Sequence, residues 1–283
     1  MLDFPIIDAH VHLLDQQRFG YGWAAGLPTL ARDWRLQEFL RSAIPYEIEG
    51  IVFVEVDVDS PQHLDEAEWV DGLATNDRRL MGAVVSLPLE RGAAIEPEMA
   101  RVAALKTTRG VRRLIQNQPD ADFCLRAPFF AALKLLPKYG LSFDICIHHP
   151  QIQAALAMAR RCPDVSFVLD HIGKPAIREG LSEPWRTEIA ELARLPNVVC
   201  KLSGLITEAA HDFWTAADLA PYINHVAECF GPDRLLYGGD WPVAKLAGDY
   251  LQWLTTLEAA TAHFSAVERR KLFRDNARRV YRL

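Results

Sequence analysis

From Ile6 to Leu14 apolar and polar residues alternate. Ile7, Ala9, Val11 and Leu13 share one face of an extended strand, and Asp8, His10 and His12 share the other. Three polar groups on one face of a buried strand are costly unless they line a cavity or a site. Taken alone, the H-x-H pair reads equally well as two hydrogen-bonded core histidines.

The same reading predicts seven more strands, each followed by a helix-length segment. The strands are Gly50–Val58, Met81–Leu89, Thr108–Gln116, Leu141–His149, Val165–Gly173, Asn197–Leu205 and Arg234–Pro242. The helices lie near Leu36–Ala43, Gln62–Asn76, Ala93–Leu105, Pro128–Lys138, Gln151–Arg161, Glu183–Arg194, Ala217–Phe230 and Gly248–Ala262. A last amphipathic helix, Ser265–Tyr281, opens on a Ser265/Glu268 capping box. Strict alternation of strand and helix implies parallel strands with helical crossovers. Eight such units predict an α/β fold, a single (β/α)8 TIM-type barrel occupying residues 1–283 as one domain. An open doubly wound sheet is the rival, and no G-x-G-x-x-G follows the first strand to favour it. A loop rich in glycine and aromatic residues, Arg18–Trp23, is long enough to wall or cover the barrel mouth.

Composition narrows the function classes. The chain is 50% hydrophobic with a net charge of −6, which disfavours a nucleic-acid surface. No run of about 20 apolar residues suggests a membrane span, and the N-terminus lacks the features of a signal peptide. The five cysteines are scattered, without a C-x-x-C pair, as expected of reduced thiols in the cytoplasm. Oligomeric state is left open, a homo-oligomer included.

In a barrel of this kind, functional side chains sit at the C-terminal strand ends. Alternation points inward His10 and His12 from the first strand, Glu55 from the second, Arg112 and Gln116 from the fourth, and Asp144 and His148 from the fifth. The sixth adds His171, the seventh Lys201 and Ser203, and the eighth Asp240. Each has a plain structural reading. Lys201 could snorkel at a strand end, His148 could lie at the surface, and Arg112 could be an ion-pair partner of Glu55 or Asp57. A merely structural barrel would fill such positions with Val, Ile and Leu. The repetition of ionisable residues on nearly every strand argues for a site.

His10-x-His12, Asp170–His171-x-Gly173–Lys174–Pro175, Cys200–Lys201–Leu202–Ser203–Gly204 and Gly239–Asp240–Trp241–Pro242 together resemble the amidohydrolase superfamily. Within it they are similar to the sugar lactonase branch, which is related to 2-pyrone-4,6-dicarboxylate lactonase. The resemblance runs from the first strand to the last helix. It implies a hydrolase opening a sugar-acid or related lactone, a carboxylic ester, to the hydroxy acid. It makes Asp240 the general base, with His10, His12 and His171 polarising the carbonyl directly or through a metal. It places Arg112, Gln116, Lys201, Trp241 and Glu55 against the substrate.

His10, His12 and Asp240, with His148 as a fourth ligand, would suit one divalent metal such as Zn²⁺. Metal-independent catalysis is the other option. Arg112 on the fourth strand, where a carboxylated lysine would stand, argues against two metals. The competing function is a metal-dependent decarboxylase or C–C hydrolase of a related branch. The expected partner is a small-molecule lactone, with no nucleic acid and no membrane.

Overall fold

The structure is a computed structural model that describes residues 2–283. Eight parallel strands hydrogen-bond in chain order: β1 (Ile6–Val11), β2 (Ile48–Val54), β3 (Leu80–Ser86), β4 (Thr108–Arg112), β5 (Ser142–Ile145), β6 (Phe167–Leu169), β7 (Val198–Leu202) and β8 (Leu235–Tyr237). Just beyond β8 the ring closes on β1. The His12 N–H donates to the Trp241 carbonyl at 2.7 Å, and the Asp240 N–H to the His10 carbonyl at 2.8 Å. The result is the predicted (β/α)8 barrel.

Around it run α1 (Leu36–Ser42), α2 (His63–Ala74), α3 (Glu96–Ala103), α4 (Ala127–Leu133), α5 (Ile152–Arg161) and α6 (Trp185–Ala193). Two helices follow β7, α7 (Leu205–Glu208) and α8 (Ala216–Phe230), and three follow β8, α9 (Tyr250–Ala260), α10 (Ala266–Arg270) and α11 (Asn276–Tyr281). The predicted capping box is present, with the Glu268 N–H donating to Ser265 Oγ and the Ser265 N–H to the Glu268 carboxylate. The predicted continuous last helix is interrupted by a π turn at Lys271–Asp275.

Strand alternation sorts the core into two layers. Ile51, Phe53, Phe143, Ile145, Phe167 and Leu169 pack outward among the helices. Ile7, Ala9, Val52, Val54, Val84, Val168 and Leu236 fill the barrel interior with Ala277 and Tyr281 of α11. The last helix therefore plugs the lower end of the barrel. The valines of β2 face inward, with Ile51 and Phe53 outward, and Glu55 turns in only because β2 stops at Val54.

The expected orientation of Asp8 is overturned. Asp8 does not share a face with His10 and His12. Pairing of β1 with β2 shifts register between Asp8 and Val11, where three steps along β1 match two along β2. This is a β-bulge, and it reverses the alternation. Asp8 is sent outward, where its carboxylate accepts the N–H groups of His10 (3.0 Å) and Gly239 (2.8 Å) and the Tyr250 hydroxyl (3.0 Å). Gly239 must be glycine there, because a Cβ would lie 2.4 Å from Asp8 Oδ2. Asp8 thus clamps β1 to the end of β8 from behind the site.

Candidate active site

The strands end in loops that open a cavity of about 280 Å³ at the C-terminal mouth. His12, His171, Asp240, Arg112 and Gln116 line it, as do Lys174, Asp57, Asn117, Arg113 and Trp23. The Trp23 indole N–H donates to the Val56 carbonyl at 2.8 Å, so the aromatic loop walls the mouth.

His12 donates from Nδ1 to the Val54 carbonyl at 2.8 Å, which leaves its Nε2 lone pair facing inward. His10 Nε2 lies 3.2 Å from that atom, and the Asp240 Oδ1 atom lies 3.4 Å from His12 Nε2 and 3.8 Å from His10 Nε2. Ligands bound at 2.0–2.1 Å around a tetrahedral ion sit about 3.3 Å apart. The donor set of two imidazole nitrogens and one carboxylate oxygen therefore fits a divalent ion. On its other side, His10 Nδ1 lies 3.3 Å from Asp170 Oδ1, a carboxylate–imidazole arrangement that orients a ligand ring. A second convergence joins His10, Asp170 and His171.

Two of these residues reach the mouth through unusual backbone. On β6, Val168 faces inward, so alternation brings Asp170 inward as well. His171 follows only because it adopts the left-handed region at φ 53°. Its Nδ1 lies 2.9 Å from Ser203 Oγ. Asp240 is left-handed too, at φ 52°. Gly204 makes room for both, since a Cβ there would lie 2.4 Å from His171 Nδ1 and 3.0 Å from Asp240 Oδ2.

The electrostatics follow from burial and pairing. Burial alone would raise the Asp240 carboxyl, but the imidazoles of His171, His12 and His10 outweigh it and hold it well below the usual range. Burial drives His171 down to about 4 despite Asp240 and Asp170, so its ring is neutral at pH 7. His10 is likewise pushed well down by burial. Asp170 stays ionised because Lys201, His10 and Arg112 overcome its desolvation.

Several expected substrate contacts lie elsewhere. Lys201 is fully buried beneath the histidines, with Nζ 2.6 Å from Asp144 Oδ2 and 2.9 Å from Asp170 Oδ1. Alternation places it on the inner face, but at a level below the cavity. Glu55 is also buried, accepting from Arg112 Nε at 2.5 Å, so it steadies Arg112 instead of facing a ligand. Trp241 is wholly buried on the outer side, edge-on to Trp34 and Phe39, because the left-handed turn at Asp240 sends the next side chain away. His148 lies past the end of β5, with Nε2 3.3 Å from Asn117 Oδ1, and it does not join the metal-competent groups among the described residues. Arg112 and Gln116 do face the cavity.

Asp170 and Lys174 stood in the sequence only as parts of a motif and Asp57 only as an ion-pair partner for Arg112, none of them with a role in the site. The signal for Asp170 was its position two residues after Val168. Lys174, inside the G-K-P motif, donates to Gln116 Oε1 at 2.6 Å at the cavity wall.

His10 on β1, His12 just past it and the Asp240 carboxylate after β8 meet at the C-terminal end of a (β/α)8 barrel. A family model described as amidohydrolase matches residues 7–283, and the chain belongs to that family. It is similar to the L-fucono-1,5-lactonase of Burkholderia ambifaria, with 32% identity over 98% of this chain and 95% of that one. It is also similar to the L-rhamnono-gamma-lactonase of Scheffersomyces stipitis, at 27% identity over the full length of both. A crystal structure of an amidohydrolase from Burkholderia multivorans with bound zinc superposes with a TM-score of 0.88 and 29% identity, covering 99% of this chain and 100% of that one. Among the described residues, no helix is long and apolar enough to cross a membrane.

Proposed function

We propose that the chain acts as one amidohydrolase-type domain that opens a sugar-acid lactone to its hydroxy acid. The observation that carries this reading is the convergence of His12, His171 and Asp240 at one cavity, with the buried His10 within reach of all three. The likeness to lactonases acting on two sugar lactones supports it. The five free cysteines are consistent with a reducing cytoplasmic setting.

Asp240 is the general base. It remains ionised at neutral pH and accepts a proton from the attacking water. The water oxygen bonds to the carbonyl carbon, the ring C–O bond breaks, and the ring oxygen leaves as a hydroxyl after taking that proton. The new carboxylic acid then ionises, releasing one proton per turnover. Because the imidazoles depress the basicity of Asp240, it needs a water that is already acidified. A divalent ion held by His10, His12 and Asp240 would supply that acidity and polarise the carbonyl. His171 is neutral. With the Ser203 hydroxyl donating to its Nδ1, it presents Nε2–H to the developing oxyanion. Arg112 is fixed by Glu55 and Asp170, so its guanidinium meets the substrate in one orientation.

A lactone panel read by a pH indicator tests this. Turnover of at least one aldonolactone is expected. Absence of turnover across furanose and pyranose lactones, or CO₂ release from an aromatic acid instead, would overturn the reading.

A further inference from the structure

Among the described residues, seven that are not glycine have positive φ, and five of these line the cavity: Asp57 (49°), Asn117 (62°), His171 (53°), Lys174 (47°) and Asp240 (52°). They follow β2, β4, β6 and β8. The left-handed region is unfavourable for L side chains, though less so for Asn and Asp, and such conformations cluster where function holds them. His171 and Asp240 already have roles. Asp57, Asn117 and Lys174 do not.

Charge pairing separates these three from their neighbours. Arg113 is bound by both Glu90 oxygens, and Arg112 by Glu55 and Asp170. By contrast, the Lys174 ammonium meets only the neutral amide oxygen of Gln116 at hydrogen-bond distance, and the Asp57 carboxylate pairs with no side chain among the described residues. Asn117 uses its Oδ1 on His148 and keeps its amide N–H groups. The wall therefore offers one cationic donor, one anionic acceptor and one amide. Its free charges balance.

We infer that Asp57, Asn117 and Lys174 are the specificity-determining wall of the site, reading ring hydroxyls of an uncharged, polyhydroxylated lactone. A carboxylate on the substrate would meet Asp57 unfavourably, and an unsubstituted lactone would offer none of the three groups a substrate partner. Alternating hydroxyls satisfy a donor, an acceptor and an amide together. This inference rests on the lactonase reading.

The test compares three probes: an uncharged six-carbon aldonolactone, unsubstituted δ-valerolactone and an anionic aldaric acid lactone. The native protein should prefer the first. Asp57→Asn keeps a residue that tolerates the left-handed backbone, and Lys174→Met keeps the stem. Each should lower the ratio of kcat/KM for the aldonolactone over δ-valerolactone by about tenfold or more, mainly through KM, since hydrogen bonds to charged groups are the strong ones. An unchanged ratio in both variants, or a native preference for the anionic lactone, overturns this inference and leaves the lactonase reading standing. No turnover of any probe overturns both.

Discussion

Replacing Lys201 by methionine removes one ammonium, leaving the buried Asp144 without a cation and Asp170 with Arg112. Lys201, Asp144 and Asp170 are each 0% exposed, and the two ion pairs are 2.6 and 2.9 Å long. Methionine retains most of the stem, so the loss is electrostatic and not a cavity. Breaking a buried pair from one side costs about 3–5 kcal/mol, because the remaining charge is uncompensated. At roughly 2–4 °C per kcal/mol, Tm should fall by roughly 6–20 °C. Differential scanning calorimetry measures this directly. The deficit should also depend on pH. Burial already raises Asp144 against the pull of Lys201, and removing Lys201 raises it further, while Asp170 loses one of the three partners that hold it down. A carboxyl whose folded pKa is raised favours the fold when protonated and disfavours it as pH climbs. The deficit should therefore be larger at about pH 8 than at about pH 5. Because Asp170 orients His10, kcat/KM should fall by about 10–100-fold as well. Adding Asp144→Leu to the variant should recover part of the stability. A Lys201→Met protein within about 1 kcal/mol of the native one at both pH values would refute this reasoning.

Three further outcomes follow from neighbouring contacts. Tyr281→Phe removes the hydroxyl that donates to Asp144 at 2.7 Å, and should cost about 2 kcal/mol by chemical denaturation with an unchanged m-value. Burial raises Asp8 to about 7, over the opposing hydrogen bonds from Gly239, His10 and Tyr250, so its contribution to stability is complete at acid pH and lost as pH rises through 7. Asp8→Asn keeps Oδ1 for both N–H groups but does not titrate, so it should gain stability relative to the native protein between about pH 5 and pH 8, read as a Tm difference. Protein purified without added metal should carry one zinc per chain by elemental analysis, and His12→Ala should lower that content; a metal-free protein with full activity would contradict the metal assignment.

The barrel was legible because its signal is repeated. Runs such as Val52/Val54 and Ile51/Phe53 declare two apolar faces, and only parallel strands sheathed by helices need both. Alternation also placed Arg112, Lys201 and Ser203 on the correct face, but it gives a face and not a height, so it could not show that Lys201 lies below the cavity. The bulge in β1 leaves no mark in composition, which is why Asp8 was grouped with His10. Left-handed backbone at His171 and Asp240 is equally silent, since neither is glycine, and it decides where His171, Asp240 and Trp241 point. His148 was read as the next inward step on β5, but that strand ends at Ile145 and the rule ends with it.

Hydrolysis of the best aldonolactone by Asp240→Asn, beside the native protein, tests the central claim most directly. Asparagine preserves shape but cannot take a proton from water. The account predicts a fall in kcat of at least about 10²–10⁴-fold, with the far-UV spectrum retained. A variant with native-like kcat would contradict it.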